Sequence, residues 1–193
     1  MKVRHKGLSF YRKKKKISGA LIREISSWVF GIFAAIFIAA VTVYAVGMST
    51  SMIGVSMEPE LYNGQNVLIN RYAYLIFTPK AGDVVAFLPN GNHNSHYYIK
   101  RVVAVPGDQV QIINGRLRVN GVEVTDDFDK MADAGIAQNQ LTLGSEEYFV
   151  LGDNRNNSED SRSANIGLVN GEDIIGKVWF HMGYEANKMG FVK

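Results

Sequence analysis

Val110-Gln111-Ile112-Ile113-Asn114-Gly115-Arg116-Leu117-Arg118-Val119-Asn120-Gly121-Val122-Glu123-Val124 is the stretch that decides the fold. Three short apolar runs are joined by Asn114-Gly115 and Asn120-Gly121. Asn-Gly between such runs is the strongest local sign of a two-residue hairpin, because both turn positions need positive φ. The same texture extends outward. Residues 66–70, 84–88 and 97–105 upstream, and 148–151 and 177–181 downstream, read as strands punctuated by Gly82-Asp83, Asn90-Gly91-Asn92 and Pro106-Gly107-Asp108. Residues 72–77 read as a further strand or hairpin, and the polar residues 126–140 as a loop or a helical turn. The expected fold is mainly β, with antiparallel sheets.

The N-terminal part reads differently. Residues 25–53 carry no charge, and their apolar centre, residues 28–48, spans 21 residues. At about 1.5 Å per residue this gives about 31 Å, the thickness of a hydrocarbon core. Trp28 and Tyr44 stand towards its ends, where interfacial aromatics gather. Nine of the 21 Lys and Arg lie between Lys2 and Arg23, densest at Arg12-Lys13-Lys14-Lys15-Lys16, and the next basic residue is Arg71. The positive-inside rule therefore puts the tail in the cytoplasm, against anionic lipid, and everything after the span outside. Residues 1–24 are read as a basic tail, 25–50 as a transmembrane anchor and 51–193 as an extracytoplasmic domain. A cleaved secretory signal competes with the anchor, since Ala45-Val46-Gly47 loosely fits a cleavage site, but signal cores run to only about 7–15 residues.

Composition narrows the chemistry. With 193 residues and 47% apolar content, the chain has room for one domain and an accessory segment. It has no cysteine, which excludes disulfides, a thiol nucleophile and cysteine-bound zinc. The net charge of +3 comes from the tail; from Ile25 onward there are 12 basic and 17 acidic residues, so no nucleic-acid surface is expected.

Directly after the span comes Gly54-Val55-Ser56-Met57-Glu58-Pro59-Glu60-Leu61, a bend able to expose the Ser56 hydroxyl beside the bilayer. A serine nucleophile needs a base. His5, His93, His96 and His181 are the histidines, and a Ser-His-Asp arrangement is open to them, as is a metal pair at His93 and His96 without a third ligand. Lys100 interrupts the apolar run Tyr97-Tyr98-Ile99-Lys100-Arg101-Val102-Val103, and alternation puts it on one face with Tyr98 and Val102. If that face is buried, the amine loses its proton more readily and becomes a base; if it is solvated, Lys100 is a surface residue. The third stretch, Gly152-Asp153-Asn154-Arg155-Asn156-Asn157-Ser158-Glu159-Asp160-Ser161-Arg162, is either a hydrophilic loop or a loop fixed by an Asp160–Arg162 pair.

Together these stretches resemble the type I signal peptidases, membrane-bound Ser-Lys proteases. Ser56-Met57-Glu58-Pro59 resembles the nucleophile box, Tyr98 to Asp108 the lysine box, and Gly152 to Arg162 the final box, with Pro79 to Phe87 as the intervening strand box. The resemblance implies coiled antiparallel β-sheets behind one N-terminal transmembrane helix, in the compact Gram-positive form. It implies Ser56 as nucleophile, Lys100 as general base and Ser158 as orienter of the amine. It further implies a charge network of Asp160, Arg162 and Arg101, and substrate contacts at Tyr98, Ile99, Met57 and Ile53. The implied reaction is removal of signal peptides from exported proteins after Ala-x-Ala, without metal or cofactor. The implied partners are signal peptides and the lipid bilayer. Three positions depart from the pattern: Glu60 replaces the usual threonine, Gly54 lacks a hydroxyl that some relatives use for the oxyanion, and Ala81 replaces a commonly basic residue. Two rival readings are a membrane-anchored binding module on a degenerate peptidase scaffold and a self-cleaving repressor-type Ser-Lys protease.

Overall fold

A computed structural model describes residues 18–184 and 188–193, leaving aside the side chains of residues 44–46. Most of the expected basic tail, and the side chain of Tyr44, lie outside the described residues. Two units divide the chain near residue 43. The first contains α1 (Gly19–Val46), long and apolar enough over Gly19–Val43 to cross a membrane. Its apolar side chains are exposed, Phe30 and Phe37 among them.

The regular structure of the second unit is mainly β. Its strands are β1 (Gly47–Ser51), β2 (Asn66–Asn70), β3 (Val84–Phe87), β4 (Tyr98–Ala104), β5 (Gln109–Ile113), β6 (Arg116–Val119), β7 (Val122–Glu123), β8 (Leu141–Thr142), β9 (Glu147–Leu151), β10 (Val169–Asn170), β11 (Ile174–His181) and β12 (Gly190–Phe191). Among the described residues they form an eight-stranded antiparallel sheet in the order β1-β2-β11-β3-β4-β9-β10, with β12 on β11, and a four-stranded sheet β7-β6-β5-β8. β1 occupies residues that hydropathy alone assigned to the anchor.

The hairpins form as the Asn-Gly pairs require. Asn114 and Gly115 have φ of 52° and 76°, Asn120 and Gly121 of 53° and 80°. Ile113 then faces Arg116, and Val119 faces Val122. A two-residue turn with both residues left-handed matches the twist of the strands and closes them at that separation without splaying them.

Strand β3 is buried at every position, so it reads as an unbroken apolar run. Val84 and Ala86 join Ile69, Ile99 and Val178 on one face; Val85 and Phe87 join Val102, Tyr148 and Val150 on the other. A third core, around Val110, Ile112, Leu117 and Phe149, lies under the small sheet. The central strand β4 is thus packed on both faces.

Residues 72–77 correct the expectation of a strand. Asn70 Oδ1 accepts a bond from Tyr72 N at 3.0 Å, and a single helical turn, α2 (Ala73–Ile76), follows. Among the described residues no strand pairs with the segment to satisfy an extended backbone. Instead Tyr74 donates to Asp83 at 3.1 Å while Leu75, Ile76 and Phe77 point outward at 75%, 81% and 65% exposure.

Gly176 marks the tightest point of the large sheet. A Cβ there would lie 2.5 Å from the Asn70 carbonyl oxygen and 2.9 Å from Arg71 Cα. Backbone atoms cannot yield as a side chain would, so Gly176→Ala is expected to destabilise the domain by about 2 kcal/mol or more. Thermal unfolding of the full chain in detergent measures this.

Candidate functional site

The 52–65 loop is closed at its base by Met52 N bonding Gln65 O and Gly64 N bonding Met52 O, both at 2.8 Å. Gln65 is fully buried, and its side chain takes Tyr62 N, His181 Nδ1 and Met182 O as partners. Gly54 has φ of +83°, and its N–H reaches Asn63. The turn so formed carries Ser56 inward, with 8% of it exposed.

Lys100 meets it from β4. Its Nζ lies 2.7 Å from Ser56 Oγ, the residue is 4% exposed, and the amine stands 5.5 Å above the Tyr98 ring. Tyr98 and Lys100 therefore share a face, as alternation requires. Burial pushes the Lys100 pKa down to about 8, and the carboxylates of Asp160, Glu159 and Asp153 oppose that shift without cancelling it. At pH 7 a pKa of about 8 leaves about one amine in ten neutral, against about one in 2,500 for an ordinary lysine. Such an amine in contact with a hydroxyl is equipped to accept its proton.

The 152–162 loop holds the Ser56 turn in place. Asn154 donates its backbone N–H to Ser56 O at 3.1 Å and its side-chain amide to Val55 O at 3.2 Å. Asp160 binds Arg162 through two bonds, at 2.8 and 2.9 Å, and accepts Gly152 N–H at 3.1 Å. Arg162 also ties Arg155 O at 2.6 Å.

The charges around the dyad are arranged differently from the single network the resemblance implied. Arg101 pairs with Asp153 through two bonds at 2.7 and 2.6 Å, separate from Asp160 and Arg162. Arg101 stands on β4 and Arg162 on the loop after β9, and each pairs with a different aspartate. Ser158, expected to orient the amine, has a buried hydroxyl with no hydrogen-bond partner. It packs against Gly152, where an added Cβ would overlap both Ser158 Oγ and Ser56 O.

A shallow groove of about 410 Å³ opens beside the pair, lined by Ile53, Val55, Tyr97, Tyr98 and Ile99 together with His96, Asn157 and Glu159. Met57 corrects the substrate-contact expectation. Its side chain is wholly buried in the core with Leu61 and Ile69, because the turn that directs Ser56 to Lys100 directs its neighbour the other way. His181 is occupied by Gln65. Glu60, which stands where the family pattern has threonine, accepts the backbone N–H of Lys193 at 2.7 Å and acts electrostatically on Arg101.

Sequence reasoning passed over Asp153 as a partner, and also Asp126, Phe128 and Arg155. Arg155 is 3% exposed, binds Asp126 at 2.9 Å and lies 4.5 Å from the Phe128 ring; Arg101 approaches the same ring at 5.9 Å. Nothing in the polar 126–140 stretch distinguished Asp126 from its acidic neighbours.

The family model described as signal peptidase, peptidase S26, matches residues 25–182. Signal peptidase I P of Bacillus subtilis subsp. natto is 35% identical over 132 residues, covering 64% of this chain and 70% of that protein. Signal peptidase IB of Staphylococcus aureus strain COL is 33% identical over 177 residues, covering 82% of this chain and 89% of that protein. A crystal structure of a signal peptidase I from Enterococcus faecalis V583 is 28% identical, with a TM-score of 0.42, covering 53% of this chain and 97% of that one.

Lys100 also has a consequence for stability. Its folded pKa of about 8 lies below the unfolded value, so the folded state binds fewer protons between the two and gains stability as pH rises through that window. Below about pH 8 the buried charge costs up to about 3 kcal/mol. Lys100→Met is expected to raise the melting temperature at pH 7, and the advantage to vanish above about pH 10.5. Thermal melts of both proteins across pH 6 to 11 check it.

Proposed function

The chain belongs to the signal peptidase family, peptidase S26, and on that premise we propose that it is a membrane-anchored endopeptidase acting through Ser56 and Lys100. The observation that carries the reading is the 2.7 Å contact between a buried lysine amine and a serine hydroxyl.

In this mechanism a substrate segment enters the groove in extended form. Ser56 Oγ attacks the scissile carbonyl carbon while neutral Lys100 Nζ takes the hydroxyl proton. The developing oxyanion falls to the backbone N–H of Ser56, since Gly54 offers no hydroxyl nearby. Lys100 then gives its proton to the leaving amine as the C–N bond breaks, and an ester on Ser56 remains. A water loses its proton to Lys100 and attacks the ester; as the bond from the acyl carbon to Ser56 Oγ breaks, Lys100 returns the proton to Oγ and the new carboxyl terminus is released. Ser158, whose hydroxyl is unpartnered, is assigned the orienting bond to the amine once substrate packs the groove. Asp160, Arg162, Asp153 and Arg101 hold the loops that carry these groups.

The groove also supports a preference for small residues. Ile53, Val55, Tyr98 and Ile99 leave shallow apolar space beside the dyad, which suits alanine at two alternate positions of an extended strand, as in Ala-x-Ala, and excludes larger side chains. Signal peptides of exported proteins are the matching substrate. The basic excess before residue 24 orients the tail to the cytoplasm, with α1 spanning the bilayer and the peptidase domain outside. The outward-facing Leu75, Ile76 and Phe77 are suited to rest in the lipid interface.

Purified full-length protein in detergent is expected to cleave a fluorogenic peptide bearing Ala-x-Ala, with the rate rising as pH increases through about 8 as the amine loses its proton. Ser56→Ala and Lys100→Ala are each expected to lower kcat by about a thousandfold or more. Full turnover by either variant would remove the dyad, and an acid limb at the ordinary lysine value would remove the desolvated base.

A further inference from the structure

The carboxylates near the dyad are not equivalent. Asp153 is clasped by Arg101 and Asp160 by Arg162, each through two short bonds. Glu159 is exposed and forms no salt bridge among the described residues; its hydrogen bond, from Asn165 Nδ2, is long at 3.4 Å. It is also the one carboxylate that lines the groove beside Ser56 and Lys100, among side chains that are otherwise apolar, aromatic or uncharged amide apart from His96 and Lys100 itself.

The charge that reaches a bound substrate follows from this. A bidentate Arg–Asp pair cancels most of its own field within a few ångströms. In the form of the dyad that accepts a proton, Lys100 is neutral. The Glu159 carboxylate then stands uncompensated on the wall of a channel with apolar sides, where field lines are focused rather than dispersed.

We propose that Glu159 is a specificity-determining residue, drawing a basic side chain of the substrate that flanks the scissile bond into the groove and disfavouring an acidic one at the same place. The inference rests on the groove being the seat of the substrate, and it adds a charge preference to a site otherwise selective for size. Because Glu159 is solvent-exposed, the attraction is screened, and a discrimination of about three- to tenfold is expected per charge placed within about 5 Å.

The test uses a set of peptides sharing one Ala-x-Ala core and carrying Arg, Gln or Glu in turn at each position flanking the cleaved bond. kcat/KM is measured for the full-length protein, Glu159→Gln and Glu159→Lys at about pH 9.5, where Lys100 is neutral in each. The ratio of Arg to Glu substrates within one enzyme is the readout. It is expected to favour Arg in the wild type by about three- to tenfold at one or more positions, to approach one in Glu159→Gln and to invert in Glu159→Lys. Raising salt from about 0.02 to about 0.5 M should compress it. An Arg to Glu ratio that is the same in all three proteins would overturn the proposal.

The same peptides are titrated by fluorescence anisotropy into Ser56→Ala proteins carrying Glu, Gln or Lys at position 159. If the charge ranking follows residue 159 in binding while the wild type cleaves nothing, the charge preference stands and the peptidase reading falls. If every peptide is cleaved with no dependence on residue 159, the peptidase reading stands and the charge preference falls.

Discussion

A lysine amine withheld from water and set against a serine hydroxyl is the constraint on which the rest of this domain depends. Lys100 sits on β4, the strand packed between β3 and β9 and covered by a core on each face. Neighbouring strands and core side chains hold it from every side. The rigidity has a purpose: an amine on a mobile loop would recover its hydration, and its pKa would return to the ordinary value. An amine buried to a pKa of about 8 costs the domain up to about 3 kcal/mol at neutral pH and leaves a fraction of it neutral.

That arrangement survives because burial outweighs the pull of three nearby acids, two of which are held by arginines. A carboxylate beside Lys100 favours the ammonium form, and the exposed Glu159 does so without cancelling what burial achieves. Asp160, first among the groups that raise the amine's pKa, is bound on both oxygens by Arg162, and Asp153 on both by Arg101. The aspartates are needed because they fix the loop: Asp160 receives the Gly152 N–H, and Asp153 anchors the loop to β4. The arginines let these acids do structural work at a distance from the amine where unpaired charges would be costly. Phe128, lying against the guanidiniums of Arg155 and Arg101, joins the Arg155–Asp126 and Arg101–Asp153 pairs through an uncharged ring.

Much of this was legible in the chain, for reasons that differ by residue. The Asn-Gly turns were readable because positive φ at two consecutive positions admits few residue types. Lys100 was readable because a charge in a continuous apolar strand is conspicuous, although its burial was not; periodicity places a residue on a face without saying what covers it. Asp160 and Arg162 are two residues apart, so their pairing was visible locally. The partnership of Arg101 with Asp153 joins residues 52 apart in sequence, and two aspartates were equally available on paper. The short strands β8, β10 and β12 have two residues each, too few to show alternation. Residues 72–77 looked like a strand because composition reports apolarity, and the turn set by Asn70 was hidden in a single side-chain bond.

The meeting of Ser56 with Lys100 also explains why one position beside them has no side chain. The turn carrying Ser56 and the loop after β9 come from distant parts of the sequence, and Asn154 joins them by bonding Ser56 O and Val55 O. For those bonds to form, the backbones must approach more closely than two ordinary residues allow, and the approach is made at Gly152. A Cβ there would occupy the space of the Ser56 carbonyl oxygen and of Ser158 Oγ. Gly152 is not in the left-handed region, so its value lies in the absent side chain and not in conformational freedom. The loop that bears the supporting charges is thereby seated directly against the residue that bears the hydroxyl, and a shift of a few tenths of an ångström in one is transmitted to the other through backbone contact alone.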